Sequence, residues 1–269
     1  MITLTIAIAV GLGGFSLSYY PCDFGLGWSI FLGIASFAAF QGVAGFVLQR
    51  KVKRDMEEVQ AILEGGQRRL QQKMARWQMR PPGSMQAAQK EILEDTKVFV
   101  KEALAKTETL AKYRLWIPMM ERQIATAKVQ LSWMIKDFKT VDALMPRALL
   151  IDPSMACIKM ARMYMLDKPT DEIAKVYSKA VAHARYNGNV LPAATMSWVQ
   201  VKRGDTDGAF KTLTEALKKS DDETLKRNHE SLMNNRPAKF TNSGIGDRWY
   251  SLLLEEPRMR VQRQRPVYR

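Results

Sequence analysis

The sequence predicts an all-α protein in which an apolar helical hairpin, a charged helix and a series of paired helices follow one another. Three observations lead to this prediction. Residues 1–48 carry one charge, Asp23, although the whole chain has a net charge of +14. After them, apolar side chains recur at helical spacing among many charged ones. Three later segments, 137–153, 168–181 and 204–217, repeat one helical pattern.

Residues 1–48 are predicted to form a transmembrane hairpin with spans at about 2–20 and 25–48. Each span is long enough to cross a hydrocarbon core of ~30 Å as a helix. The short connection contains proline, glycine and the single charge, which favour a turn in water. A cleaved signal peptide is the alternative, but no basic region precedes the first span and a second apolar span follows at once.

The charges beside the second span predict the topology. Lysine and arginine next to a span favour its cytoplasmic side, and four follow immediately: Arg50, Lys51, Lys53 and Arg54. We therefore expect a two-pass integral membrane protein with both termini in the cytoplasm and lipid contacts through residues 1–54. Compact loops and few cysteines favour a bacterial cytoplasmic membrane, with an organelle membrane as the alternative. Cys22 and Cys157 are then expected on opposite sides and unpaired.

Residues 49–80 are predicted to form a charged juxtamembrane helix. Its apolar residues follow a short heptad-like seam, formed by Val52, Met56, Val59, Leu63, Leu70 and Trp77. Gly65 and Gly66 fall where a core residue is expected, which predicts a bend. Two interpretations are open. The helix is a coiled-coil-like stalk that self-associates weakly, or it is an amphipathic helix that lies on lipid or packs on the downstream domain.

A Pro-Pro-Gly sequence at 81–83 is predicted to end this helix and to mark a domain boundary, because proline lacks a backbone donor. Ser84 can cap the next helix. We expect a helical domain over 84–256, closed by capping helices near 223–233 and 247–256. The basic tail, residues 257–269, is expected to be disordered or bound to lipid.

Small residues recur at matching places in the paired segments. Ala148, Ala180 and Ala216 fall in the second helix of each pair, and Ala161 and Ser197 in first helices. This pattern, over about 119–220, resembles the tetratricopeptide-repeat family, whose unit is two antiparallel helices in ~34 residues. The family's Trp-Leu-Gly-Tyr signature is largely missing here. The resemblance implies an α-solenoid; armadillo-like pairs and an ordinary helical bundle are the alternatives.

In the tetratricopeptide family, residues of each first helix line a concave face that grips a partner peptide. By position, the resemblance implies that this face includes Gln130, Met134, Arg162, Met165, Trp198 and Lys202. An exposed Trp198 beside cations would suit an acidic or apolar peptide. Packing within the repeats is the alternative interpretation of Trp198 and Met165.

The sequence contains no recognisable catalytic motif, phosphate-binding loop or metal-ligand spacing, so neither an enzyme nor a cofactor is predicted. We predict a membrane-anchored scaffold or adaptor that binds other proteins and is able to form homo-oligomers. A structural subunit of a larger membrane complex is the first alternative. Binding of anionic lipid or nucleic acid through the basic flank and tail is the second, with nucleic acid last because stacking aromatic residues are not interleaved with the basic ones.

Overall fold

The computed structural model describes residues 2–20, 25–79, 84–182, 184 and 188–256. Predictions for Cys22, residues 81–83 and the tail 257–269 fall outside these described residues. Within them, all regular structure is helical, which confirms the all-α prediction. The chain divides into two compact units, one ending at Ala148 and the other beginning at Leu149.

The first unit begins with two apolar helices, α1 (Ile2–Tyr19) and α2 (Leu26–Met79). Both contain a stretch long and apolar enough to cross a membrane, judged by length and composition. The helix α2 continues without a break for 54 residues. The predicted second span and the predicted juxtamembrane helix are therefore one helix.

Glycines bring α1 and the first part of α2 close together. A Cβ added to Gly33 would lie 3.0 Å from the backbone oxygen of Gly11. A Cβ on Gly14 would lie 2.6 Å from Oγ of Ser36. Because small residues allow helix backbones to approach closely in lipid, this crossing suits a hairpin packed on itself.

The helix α3 (Met85–Glu108) packs against the second half of α2. Ser84 caps it, since its Oγ accepts a hydrogen bond of 3.1 Å from the backbone nitrogen of Ala87. Lys73 forms ion pairs with Glu91 and Asp95, and Lys106 pairs with Glu58. The buried part of this contact consists of Val59, Phe99, Val100 and Ala103, with Leu131 from a later helix.

Gly66 lies within the continuous helix α2. It lies directly against the ring of Phe99, and a Cβ at this position would overlap the ring atoms. Of the two interpretations of the seam, packing on the downstream helix is the one seen here. The helix α3 belongs to the first compact unit.

The first unit ends in a shorter helix pair than predicted. A 3-10 helix (Thr109–Tyr113) is followed by α4 (Met120–Met134) and α5 (Phe138–Leu144). The predicted second helix over 137–153 stops at Leu144, and a 3-10 turn, Met145–Arg147, replaces its last part. Pro146 accounts for this, because it lacks a donor and clashes with the preceding turn. Ala148 is buried, but its backbone is extended rather than helical.

The second unit is built from helix pairs. The contacts run from α6 to α7 and α8, from α8 to α9, and from α9 to α10. The rings of Tyr164 on α6 and Trp198 on α8 lie 5.0 Å apart, so these two helices are neighbours. The α-helices are α6 (Pro153–Met165), α7 (Thr170–Ala182), α8 (Val190–Lys202), α9 (Thr206–Leu217), α10 (Glu223–Met233) and α11 (Asp247–Tyr250).

The core of the second unit is centred on α8. Every residue from Val190 to Gln200 is buried, as expected for a helix that is enclosed on all sides. Leu213 and Ala216 of α9 and Leu225 of α10 pack on it. The predicted capping helix over 247–256 extends only from Asp247 to Tyr250, and the chain continues to Glu256 without a further helix.

Candidate functional site

The second unit contains an open groove of about 900 Å³. Its walls come from the end of α8, from a 3-10 turn (Pro237–Lys239) and from the segment that follows α11. The side chains that give it chemical character are Trp198, Lys202, Lys239, Phe240, Tyr250, Glu255 and Glu256. The groove thus combines aromatic surface with charges of both signs.

Trp198 lies in the wall of this groove and is not an exposed aromatic. Only 4% of its surface is accessible. Its ring meets Tyr164 and Trp249 edge to face, with centroid distances of 5.0 and 5.8 Å. Of the two interpretations of Trp198, packing within the unit is the one seen here.

Glu255 holds two indole rings together. Its Oε1 accepts a hydrogen bond of 2.7 Å from Nε1 of Trp198, and its Oε2 accepts one of 2.8 Å from Nε1 of Trp249. Both oxygens of the carboxylate are used inside the unit. The C-terminal segment therefore covers the face of α8 on which a partner-binding tryptophan was expected.

A buried asparagine pair fixes the loop that leads into this segment. Nδ2 of Asn242 donates to the backbone oxygen of Ala194 on α8 at 3.0 Å. Nδ2 of Asn228 donates to Oδ1 of Asn242 at 2.8 Å, and the backbone nitrogen of Thr241 donates to Oδ1 of Asn228 at 3.0 Å. Because buried polar groups need partners, this network specifies one position for the loop.

The accessible charges of the groove are two lysines and one carboxylate. Nζ of Lys202 lies 5.3 Å from the ring centroid of Trp198, within the range of a cation–π contact. Lys202, Lys239 and Glu256 are all exposed. Such an arrangement can bind a peptide that offers carboxylates to the lysines and an apolar side chain to Phe240 and Tyr250.

The other residues predicted for a partner-binding face lie elsewhere. On α6, Arg162 is half-buried and Met165 has 36% of its surface exposed, but neither lines the groove. Gln130 and Met134 lie on α4 and belong to the first unit. The groove thus brings together only Trp198 and Lys202 from the predicted set.

Sequence reasoning missed Lys239, Phe240, Tyr250 and Glu255 as groove residues. Lys239 lies in a short 3-10 turn, Tyr250 ends the four-residue helix α11, and Phe240 and Glu255 lie in irregular segments, none of which carries a motif. No group of three histidine, cysteine or acidic residues able to hold a metal ion occurs in the described part of the chain.

The predicted basic flank lies on α2 just after its apolar part. Arg50, Lys51, Lys53 and Arg54 are exposed, and Nζ of Lys53 lies 3.8 Å from Oε1 of Glu57. The next residue, Asp55, is buried and turns toward the 3-10 helix after α3. This flank is therefore part of a helix that is fixed on its inner side.

Asp55 forms that fixed contact. Its Oδ2 lies 2.8 Å from Nζ of Lys112 and accepts a hydrogen bond of 3.1 Å from the hydroxyl of Tyr113. The bond from Lys112 holds the pKa of Asp55 below its ordinary value of 3.8, although burial acts in the opposite direction. Asp55 is therefore ionised at neutral pH.

Comparison with protein-family models, with curated proteins and with solved structures found no match. The tetratricopeptide resemblance therefore stays a prediction, and the function has to be inferred from the geometry of the chain itself.

Proposed function

We propose that this protein is a membrane-anchored helical scaffold that binds other proteins at the cytoplasmic face of a membrane. The observation that carries the proposal is the continuity of α2. A single helix of 54 residues begins in the apolar hairpin and ends in the charged arm that packs with α3. Such a helix joins the apolar hairpin directly to the α2–α3 packing of the first unit.

The surface of the hairpin supports membrane insertion. At a rise of ~1.5 Å per residue, the 18 residues of α1 reach about 27 Å, close to the thickness of a hydrocarbon core. Large apolar side chains are exposed on its outside, including Leu4, Ile8, Leu12, Leu17, Trp28, Phe31, Ile34, Val43 and Phe46. An apolar surface of this extent is unfavourable in water and suited to lipid.

The basic residues support the orientation. Arg50, Lys51, Lys53 and Arg54 are exposed at the end of the apolar part of α2, where positive charge favours the cytoplasmic side. We propose two spans, both termini in the cytoplasm and a bacterial cytoplasmic membrane.

The second unit supports a repeat-type binding domain. Tyr164 and Trp198, whose rings are in contact, are separated by 34 positions, which matches the period of the tetratricopeptide repeat. Nη2 of Arg203 lies 3.4 Å from Oδ1 of Asp167 at a similar separation. We propose that α6 and α8 are equivalent first helices of a degenerate α-solenoid.

The groove beside α8 is the proposed partner site. Lys202 and Lys239 provide exposed positive charge, while Phe240 and Tyr250 provide aromatic surface. An extended peptide that contains acidic and apolar residues complements this lining. Trp198 contributes to the groove only the small part of its surface that is accessible.

Site-specific photo-crosslinking in the protein's own cells tests the proposal. A photoreactive residue replaces Lys239 in the groove, and the matched control replaces the exposed Lys211 on α9. We expect a discrete adduct only from position 239. The double variant Lys202→Glu/Lys239→Glu should reduce capture by more than about tenfold, since opposed like charges cost several kcal/mol. The variant Lys211→Glu/Lys219→Glu should leave it unchanged, and equal adducts at both positions would contradict the groove assignment.

A structural subunit of a larger membrane complex is the second candidate. It is favoured by the occupation of the α8 face by the chain's own C-terminal segment. It is also favoured by Val98 on the α2–α3 arm, which is 69% exposed. This candidate predicts companions that remain bound in mild detergent when Lys202 and Lys239 are reversed in charge.

A further inference from the structure

The start of α1 is joined to the segment that follows the 3-10 helix Thr109–Tyr113. The backbone nitrogen of Ile2 donates a hydrogen bond of 2.9 Å to the backbone oxygen of Leu115. Oγ1 of Thr3 donates one of 2.9 Å to the backbone oxygen of Trp116. These bonds place Leu115 and Trp116 at the depth where the first apolar helix begins.

The side chains of this segment suit that depth. Leu115 is 65% exposed and Trp116 is 38% exposed. Tryptophan is enriched where a bilayer meets water, because its ring is apolar and its N–H is polar. In an inserted hairpin, residues 115 and 116 therefore lie at the headgroup level of the cytoplasmic leaflet.

A cleft of about 450 Å³ opens at the same place. Its lining is formed by Thr3 of α1, by Phe40, Ala44, Val47 and Leu48 of α2, and by Tyr113 and Trp116, and the surface that these residues expose to it is mostly apolar. Its mouth carries two lysines, Lys51 from α2 and Lys112 from the 3-10 helix. The cleft therefore has an apolar interior at membrane depth and a cationic opening toward water.

The charges at the mouth do not cancel. Lys112 is paired with Asp55 through a contact of 2.8 Å. Within the described part of the chain, Lys51 has no ion-pair partner and its side chain is exposed. The mouth thus holds one unneutralised cation beside an ion pair, on the side of the chain that carries the basic flank.

We infer that this cleft binds one anionic phospholipid of the cytoplasmic leaflet. An acyl chain lies along Phe40, Ala44 and Val47, and the phosphate lies between Lys51 and Lys112. The uncharged glycerol group of phosphatidylglycerol fits the mouth, whereas the positively charged choline group of zwitterionic phosphatidylcholine is repelled by Lys51. The inference rests on the proposed insertion of the hairpin in a membrane.

Lipid retention in native mass spectrometry tests the inference. The full-length chain is reconstituted in nanodiscs of phosphatidylcholine with phosphatidylglycerol and then released under gentle conditions. We expect one phosphatidylglycerol to remain bound per chain. Retention should fall about fivefold in Lys51→Gln, since one basic residue near an anionic surface contributes on that scale.

Two variants separate a built site from general charge attraction. Lys53→Gln makes the same change of charge two positions away, outside the lining of the cleft, and should retain the lipid within about twofold. Ala44→Phe fills the cleft without changing any charge and should abolish retention. Equal loss in Lys51→Gln and Lys53→Gln, or full retention in Ala44→Phe, would overturn the inference.

The two proposals fail separately. Release of the wild-type chain from membranes by alkaline carbonate would contradict hairpin insertion itself. A chain that resists carbonate but shows no preference for phosphatidylglycerol would contradict the lipid site alone.

Discussion

Trp198 and Glu255 are joined by a hydrogen bond of 2.7 Å from the indole Nε1 to the carboxylate Oε1, across 57 positions of the chain. Trp249 donates to the other oxygen of the same carboxylate. One acidic side chain therefore fastens the C-terminal segment to α8. This contact explains why a tryptophan expected to grip a partner is instead a wall of the groove.

Replacing Glu255 by glutamine should loosen this fastening. A glutamine oxygen can accept from one indole, but its amide NH2 group cannot accept from the other. We expect a loss of about 1–3 kcal/mol in the free energy of unfolding, because a buried N–H is left without a partner. Thermal unfolding followed by near-ultraviolet circular dichroism reports it. Glu256→Gln changes an exposed neighbour and should leave the transition in place; equal shifts would contradict the role of Glu255.

Gly66 and Gly65 offer a matched pair on α2. A Cβ at Gly66 overlaps Phe99, whereas a Cβ at Gly65 meets nothing within 4 Å. Gly66→Ala should destabilise the α2–α3 packing by about 1–3 kcal/mol, and Gly65→Ala should stabilise it by up to ~1 kcal/mol through helix propensity. Hydrogen exchange of α3 measures both changes. Similar effects of the two substitutions would show that the helices do not pack at Gly66.

The ion pair of Asp55 should make the stability of the fold depend on pH. Since Lys112 keeps the folded pKa of Asp55 below its ordinary value of 3.8, the contribution of Asp55 to stability is present above that value and is lost as pH falls through the folded pKa. Asp55→Asn should therefore lower the unfolding temperature at neutral pH, and the difference from wild type should shrink below pH 3.8. Unfolding curves at several pH values check this. A difference that stays constant down to strong acid would contradict the ion pair.

The thiol of Cys157 is expected to be unreactive in the folded protein. Its side chain is completely buried, and burial raises the pKa of its thiol from 9.0 to about 12. A thiol reagent should label it only after unfolding. Labelling of the native protein in a Cys22→Ser background, followed by denaturation, tests this. Cys157 consequently cannot report which side of a membrane the second unit occupies, since it is protected on either side.

Local patterns in the sequence were sufficient to predict several elements. The near absence of charge from residues 1–48, where Asp23 is the single charge, predicted two apolar helices, and apolar periodicity predicted the helical segments that follow them. In the second unit, Asp152 and Asp222 cap α6 and α10 by accepting backbone hydrogen bonds, which are local signals. Pro146 also indicates that α5 ends early. The resemblance to a repeat led instead to the prediction of a longer helix over 137–153.

Other features depend on residues far apart in the chain. The burial of Trp198 follows from Glu255 and Trp249, and the role of Gly66 follows from Phe99. Neither partner can be inferred from spacing, because several helices separate Trp198 from Glu255, and Gly66 and Phe99 lie on two different helices, α2 and α3. The groove has the same origin, since it is formed where a 3-10 turn meets the end of α8.

Topology of the inserted chain is the most direct test of a membrane-anchored scaffold. Gln67 is exposed on the charged half of α2, and Gln67→Cys in a Cys22→Ser background introduces an accessible thiol there. After alkaline carbonate washing confirms insertion, a membrane-impermeant maleimide is applied to intact and to permeabilised cells. We predict labelling of Gln67→Cys only after permeabilisation, and labelling of the native Cys22 in intact cells. Labelling of Gln67→Cys in intact cells, or release of the chain by carbonate, would contradict the account.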